Sequence, residues 1–121
     1  MANTFKVVTF AAEPASAGTA YKMYTVAGST TTVVLGLILT NIHSSAVTAE
    51  VELVSGTGSR GGANNVTNGT SFLVKDVNIP AGSSLEVLTG GKVVMETTDY
   101  LNIDCSVADK LSGTLSIMEI T

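Results

Sequence analysis

Residues 46–53, AVTAEVEL, alternate strictly between apolar and polar side chains. Apolar side chains occupy the odd positions from Val47 to Leu53, and polar side chains occupy the even positions from Thr48 to Glu52. Successive side chains of an extended chain point to opposite faces, so this period of two predicts an antiparallel strand with one buried face. A chain built from such segments must bury their apolar faces against one another.

Eight further segments favour strands through the same alternation or through their Thr, Val and Ile content: residues 5–10, 21–26, 30–42, 72–79, 84–88, 92–96, 100–107 and 113–120. Turn signals rich in Gly, Pro, Ser and Asp separate them, and no window of ten residues shows a helical apolar stripe. We therefore predict an all-β fold, an antiparallel β-sandwich of jelly-roll-like or Ig-like form with about eight or nine strands. At 121 residues, the chain predicts a single domain over 1–121.

Two segments support more detailed expectations. Residues 30–42 form the longest run and are apolar on both faces in the middle, which predicts a central strand covered on both sides. Residues 83–96 predict a hairpin in which the strand of Leu85 and Val87 pairs with the strand of Val93 and Met95.

Composition excludes several classes of function. The net charge is -4, and the six Lys and Arg residues are scattered, so no basic stripe is available for direct binding to nucleic acid. The longest apolar run covers only residues 33–39, far short of the ~20 residues that span a bilayer. The first residues lack the pattern of a secretion signal. We expect neither nucleic acid nor membrane as a partner.

No motif in the chain carries recognisable chemistry. His43 is the only histidine, no G-x-S-x-G sequence is present, and Cys105 lies in an alternating strand where it is expected to be a small buried hydrophobe. An acidic cluster does not match the spacing of a calcium loop and is interpreted as a solvated edge: Asp99, Asn102, Asp104 and Asp109. We predict no catalytic, cofactor-binding or metal-binding residue, no cofactor, and no enzymatic activity.

The glycines of VSGTGSRGG spell G-x-G-x-x-G at Gly56, Gly58 and Gly61. In a dinucleotide site this motif follows a strand and opens a helix, whose N-terminus faces the pyrophosphate. A strand does precede the glycines, but the residues after them show no helical periodicity. We interpret residues 55–69 as a long hairpin loop and expect Arg60, its charged residue, to contact a neighbouring subunit.

The runs at residues 72–88, 91–95, 99–103 and 115–120, together with 35–41 and 47–54, resemble small virion structural proteins of tailed bacteriophages. The resemblance implies a β-sandwich accessory protein, with capsid decoration (a cement protein) favoured over a neck, tail or baseplate component. It also implies a homo-oligomer, with a trimer favoured, that contacts other virion proteins such as the major capsid protein. Its location would be the virion, assembled in the host cytoplasm. A glycan-binding β-sandwich module is the alternative from another class.

Residues 1–12 are β-prone and are separated from the rest of the chain by the segment that begins at Glu13 and Pro14. We hypothesise that they form an N-terminal strand arm that adds to a neighbouring subunit's sheet. Phe5 and Val7 of this arm are then predicted subunit contacts, alongside Arg60.

Overall fold

A computed structural model describes residues 2–55 and 69–121. It contains nine β-strands: β1 Asn3–Glu13, β2 Tyr21–Thr25, β3 Thr31–Asn41, β4 Val47–Val54, β5 Thr70–Ile79, β6 Ser84–Glu86, β7 Val93–Met95, β8 Tyr100–Cys105 and β9 Leu111–Ile120. Within those ranges, no helix of the length and apolarity needed to cross a membrane is found. The predicted all-β class is confirmed.

The strands form two antiparallel sheets that pack face to face. The first sheet has the order β1-β9-β3-β6, with β7 also paired to β3, and the second has the order β2-β8-β4-β5. The chain passes from one sheet to the other at nearly every connection, and only β4 to β5 and β6 to β7 stay within a sheet. This is the strand order of a jelly roll rather than of an Ig-like sandwich.

The predicted hairpin over residues 83–96 is wrong. β6 and β7 do not pair with each other, because both lie end to end along β3, where Leu85 is opposite Leu39 and Val94 is opposite Val33. Val87 N still donates to Leu37 O of β3 at 2.8 Å, and residues 88–92 then bulge out before β7 begins, with Gly90 at the positive φ that this bulge requires. The eleven-residue β3 has one long side that β9 does not cover, and the two short strands β6 and β7 together pair with its backbone N–H and C=O groups.

The expectation that β3 is covered on both faces is also wrong, although β3 is central in its sheet. Thr32, Val34, Leu37 and Leu39 are buried between the sheets, whereas Ile38 on the opposite face is 45% exposed. A two-layer sandwich leaves every sheet with one outer face, so an apolar run in sequence does not guarantee a second covering layer.

The core lies between the sheets and is lined by aliphatic side chains from both of them. Leu37 of β3 and Leu115 of β9 are opposite each other and fully buried. The ring of Phe10 lies over Gly113, its partner on β9, and packs edge-on against Tyr21 of the second sheet with 5.3 Å between ring centroids. A side chain at position 113 would occupy the space that the Phe10 ring fills.

Asn41 ends β3 and is 1% exposed. Its amide nitrogen donates to the carbonyl oxygens of Ser45 and Ile79, both at 2.9 Å, and its amide oxygen accepts from the backbone N–H of His43 at 2.7 Å. One side chain therefore satisfies three backbone groups where the chain leaves the first sheet for the second.

The N-terminal segment lies in the first sheet of its own chain, and its predicted addition to a neighbouring subunit's sheet stays a prediction. β1 pairs with β9 of its own chain from Asn3 opposite Ile120 to Phe10 opposite Gly113. Its inward side chains Val8 and Phe10 pack against the core, which anchors the strand in its own sheet. β1 is the edge strand of that sheet, because β9 is its only partner within the described ranges.

Candidate subunit-contact surface

The outer face of the first sheet carries an apolar row that crosses four strands. Phe5 of β1 is opposite Met118 of β9, Met118 is opposite Val33 of β3, and Val33 is opposite Val94 of β7. Phe5 is 72% exposed and Val94 is 60% exposed, while Met118 and Val33 between them are partly exposed. Apolar side chains, whose exposure to water is unfavourable, therefore form one continuous line across the sheet.

Two further side chains extend the row along the sheet. Val7 is 62% exposed next to Phe5 on β1, and Ile38 is 45% exposed on β3. We call the set the outer apolar face, and it consists of Phe5, Val7, Val33, Ile38, Val94 and Met118. The outward side chains beside it on β9, Thr114 and Ser116, carry hydroxyls, and among the described strands the one charged side chain directly opposite a member of the set is Glu86 of β6, across from Ile38.

The whole outer side of the first sheet, of which the outer apolar face is a part, is close in size to one side of a protein interface. Strands about 4.8 Å apart with a rise of about 3.3 Å per residue give four strands of ten residues an outer surface of about 650 Å². A standard protein–protein interface buries about 800 Å² on each partner. Clusters of exposed apolar side chains such as the outer apolar face mark interaction sites on soluble proteins.

A polar cluster links the two sheets at one end of the sandwich. The Tyr24 hydroxyl of β2 donates to Glu119 Oε2 of β9 at 2.6 Å and lies 2.7 Å from Thr32 Oγ1 of β3. Glu119 Oε1 lies 2.7 Å from Lys6 Nζ of β1. The cluster gives the fully buried hydroxyl of Thr32 a hydrogen-bond partner. It also gives the charge of Lys6 an ion-pair partner within its own chain.

Ionisation of this cluster follows from its contacts. The hydrogen bond with Lys6, followed by that with Tyr24, holds the pKa of Glu119 below its ordinary value of 4.5. Burial, followed by the hydrogen bond to Glu119, raises the pKa of Tyr24 from 10.0 to about 12. At neutral pH the cluster therefore holds an ionised Glu119 and a neutral Tyr24.

We expect a pH-dependent contribution of Glu119 to stability. Because the folded pKa lies below 4.5, the contribution is fully present above about pH 4.5 and is lost as the pH falls through the folded pKa. Melting temperatures of the wild type and Glu119→Gln, measured from neutral to acidic pH, should differ most above pH 4.5 and converge below it. A difference that does not change with pH would contradict this assignment.

Among the residues that the structure describes, His43 and the acidic residues are not assembled into a catalytic or metal site. His43 lies after β3 and contributes its backbone N–H to Asn41. Asp99, which was interpreted as part of a solvated edge, is instead 2% exposed, and its carboxylate accepts from the backbone N–H of Glu96 at 3.0 Å within a turn. Across residues 2–55 and 69–121, no group of three His, Cys, Asp or Glu side chains could hold a metal ion.

Cys105 is buried, as expected for a small hydrophobic side chain in a strand. A cleft of about 210 Å³ lies beside it. It is smaller than the ~300–1,000 Å³ of typical ligand pockets. Carboxylates and hydroxyls predominate among the other residues that line it: Gly18, Thr48, Glu50, Asp76, Asp104 and Ser106. Asp104 is already engaged there by the backbone N–H groups of Gly18 and Cys105.

The glycine motif and Arg60 lie outside the described residues, so the predicted contact of Arg60 stays a prediction. The strands on either side of the loop are described, and they form the expected hairpin: Val54 is opposite Thr70, and Ser55 N donates to Gly69 O at 3.0 Å. A dinucleotide fold needs parallel neighbouring strands, whereas β4 and β5 are antiparallel.

Of the three predicted contact residues, the structure thus places Phe5 and Val7 together on the outer apolar face. Sequence reasoning missed Val33, Val94 and Met118. Their signal was present as apolar doublets at residues 33–34, 93–94 and 117–118, in which one of the two side chains points to the core and the other points outward. Only the strand register reveals that these outward residues are neighbours.

Comparison with known proteins found one distant structural likeness. A scan against protein-family models and a search of curated proteins found no match for the chain. A solved structure from a study of Bacillus endospore appendages, described as a family of disulfide-linked pili, is similar with a TM-score of 0.49 at 16% identity. The similarity covers 99% of this chain and 87% of that one. A similarity at this level assigns no function.

Proposed function

We propose that this chain is a non-enzymatic structural protein of a phage virion that works by binding neighbouring protein subunits through its outer apolar face. The observation that carries the proposal is the row from Phe5 to Val94, which crosses four strands of one sheet. Capsid decoration is favoured over a neck, tail or baseplate position, as the resemblance implies. The partner that covers the face is then another virion protein, with the major capsid protein first.

The chemistry of the face favours a protein partner over a glycan. Its side chains are apolar, and it lies on the outer side of a sheet with the hydroxyls of β9 and the carboxylate of Glu86 beside it. Small-molecule recognition needs several converging polar groups, whereas the side chains that make up this face are apolar. The jelly-roll fold occurs in both capsid proteins and lectins, so the fold does not distinguish a protein partner from a glycan. The apolar surface is what favours a protein partner.

The decisive experiment is electron microscopy of intact particles of the virus that encodes the chain. We expect the jelly roll at a fixed, high copy number with its first sheet facing a neighbouring virion protein. Density at the neck or tail would support the alternative virion position. Absence of the chain from all particles would overturn the proposal.

Substitution of the outer apolar face tests the contact directly. We expect Phe5→Ser and Val94→Ser each to weaken binding to particles about tenfold, because each removes the most exposed apolar side chain at one end of the row. Titration of purified particles with the purified variants measures the affinity. Both side chains are exposed in the free chain, so its thermal stability should change little.

Phe72→Ser provides the matched control for Phe5→Ser. Phe72 also lies on an edge strand and is 46% exposed, but it belongs to the second sheet. Its substitution should leave particle binding unchanged. Equal losses from Phe5→Ser and Phe72→Ser would contradict the assignment of the contact to the first sheet.

A further inference from the structure

The four sheet edges of the sandwich are not alike. Three are blunted in ways that oppose pairing with another strand. β6 and β7 have three residues each and are separated by a bulge, and β2 has five residues with a register shift between Lys22 and Tyr24. β5 has two register shifts against β4, carries Lys75, and places Asp76 at a φ of 49°.

β1 is the exception. It pairs with β9 without a register shift from Asn3 to Phe10, and its other side has no strand partner within the described ranges. The one charge in this stretch, Lys6, is engaged by Glu119 of its own chain. A long, regular, exposed edge of this kind is a template for another strand.

The hydrogen bonds at the chain ends show which backbone groups face the open side of β1. Ala2 and Thr121 exchange both of their N–H···O bonds, at 3.2 and 3.0 Å. Hydrogen-bonded and non-hydrogen-bonded pairs alternate along an antiparallel ladder, so even-numbered residues from Thr4 to Phe10 bond to β9. The N–H and C=O groups of the odd-numbered residues from Asn3 to Thr9 therefore point away from the sheet.

We propose that β1 pairs with β1 of a second copy of this chain, antiparallel and about a two-fold axis at Val7. In this register Val7 is opposite Val7 of the second copy, and Phe5 is opposite Thr9. The odd-numbered residues of the two strands then exchange about six main-chain hydrogen bonds. The first sheet becomes continuous across the dimer.

Charge and regularity select this register. A two-fold axis at Lys6 would place two like charges directly opposite each other, which is destabilising. An axis at Phe5 would pair only residues 3–7 with one another, because the strand begins at Asn3. An axis at Val7 pairs residues 4–10 with one another, and all of them lie in the stretch without a register shift.

The second copy is the occupant because β1 is the edge of this chain that is not blunted, and a two-fold contact brings two such edges together. Pairing also joins the outer apolar faces of both copies through Phe5 and Val7, which lie next to the new contact. The contact differs from the trimer that the family resemblance implies. It needs no virion, so its test is independent of the proposed function.

The first test uses Val7→Pro in the purified full chain. Proline removes the N–H that faces the second copy, and an edge strand tolerates it because the bonds to β9 come from other residues. We expect a mass of twice 12.3 kDa for the wild type and of 12.3 kDa for Val7→Pro by light scattering. Val7→Thr, which keeps both the N–H and the β-branched shape, should remain a dimer.

The second test does not depend on proline being accommodated. Opposed Cα atoms in a hydrogen-bonded pair lie about 5.5 Å apart, within the ~4.4–6.8 Å that a disulfide spans. Under oxidation Val7→Cys should form a disulfide-linked dimer, whereas Phe5→Cys and Lys6→Cys should not. The wild type is the control, since its only cysteine, Cys105, is buried.

Several results would overturn the proposal: a monomeric wild type, a trimer whose mass Val7→Pro leaves unchanged, or cross-linking through position 5 or 6 instead of 7. A dimer with the expected cross-link, found in a chain that is absent from particles, would support the strand pairing and overturn only the virion role.

Discussion

Asn41→Asp is expected to lower the free energy of unfolding by about 3 kcal/mol or more, although it exchanges only an NH₂ group for an oxygen. In the native chain the amide nitrogen donates to two carbonyl oxygens, those of Ser45 and Ile79. Aspartate would face both carbonyls with an acceptor and bury a charge at a site that is 1% exposed. Rotation of the side chain gives no relief, because both terminal atoms are then oxygens.

Chemical denaturation followed by circular dichroism measures this loss. Asn78→Asp is the matched control, since it makes the same chemical change at an exposed position of β5 and should stay within about 0.5 kcal/mol of the wild type. Similar stabilities for the two variants would show that the Asn41 bonds do not hold the connection from β3 to β4.

Gly113→Ala should destabilise the fold by about 1–3 kcal/mol, the usual cost of overpacking a core. The added methyl group would overlap the ring of Phe10, which lies over the glycine. Phe10 is 8% exposed and held against Tyr21, so its ring must leave a packed position. The free energy of unfolding of the variant measures the effect.

A double-mutant cycle separates this overlap from an intrinsic effect of alanine in a strand. Phe10→Leu alone should destabilise the chain by loss of packing, but it should cost much less, or restore stability, when Gly113→Ala is already present. If the losses of unfolding free energy from the two single variants simply add in the double variant, the Phe10 ring and the new methyl group do not overlap. Gly113→Ala at wild-type stability would contradict the overlap outright.

Local structure was largely predictable from the sequence. All nine predicted strand segments correspond to strands, because alternation such as that from Val47 to Leu53 reports directly which side chains a sheet buries. Cys105 was placed in the core for the same reason. The loop from residue 55 to 69 was recognised as a hairpin connection, which the pairing of Val54 with Thr70 confirms.

Predictions that depended on partners in space failed. Leu85 and Val93 belong to adjacent predicted strands joined by a glycine turn, yet each pairs with β3. The β-prone segment before Pro14 was interpreted as a strand arm, and only the packing of its inward residues Val8 and Phe10 shows that it belongs to the first sheet of its own chain. Alternation shows that a strand has a buried face and says nothing about which strand lies beside it.

The sequence by itself determined an all-β sandwich of about nine strands with few charges and without a recognisable catalytic motif, because these features depend on residue type and short-range periodicity. The tertiary structure decided the jelly-roll order, the open edge at β1 and the outer apolar face. Phe5, Val33, Val94 and Met118 lie far apart in the chain, and only the hydrogen-bond register of β1, β9, β3 and β7 places them side by side.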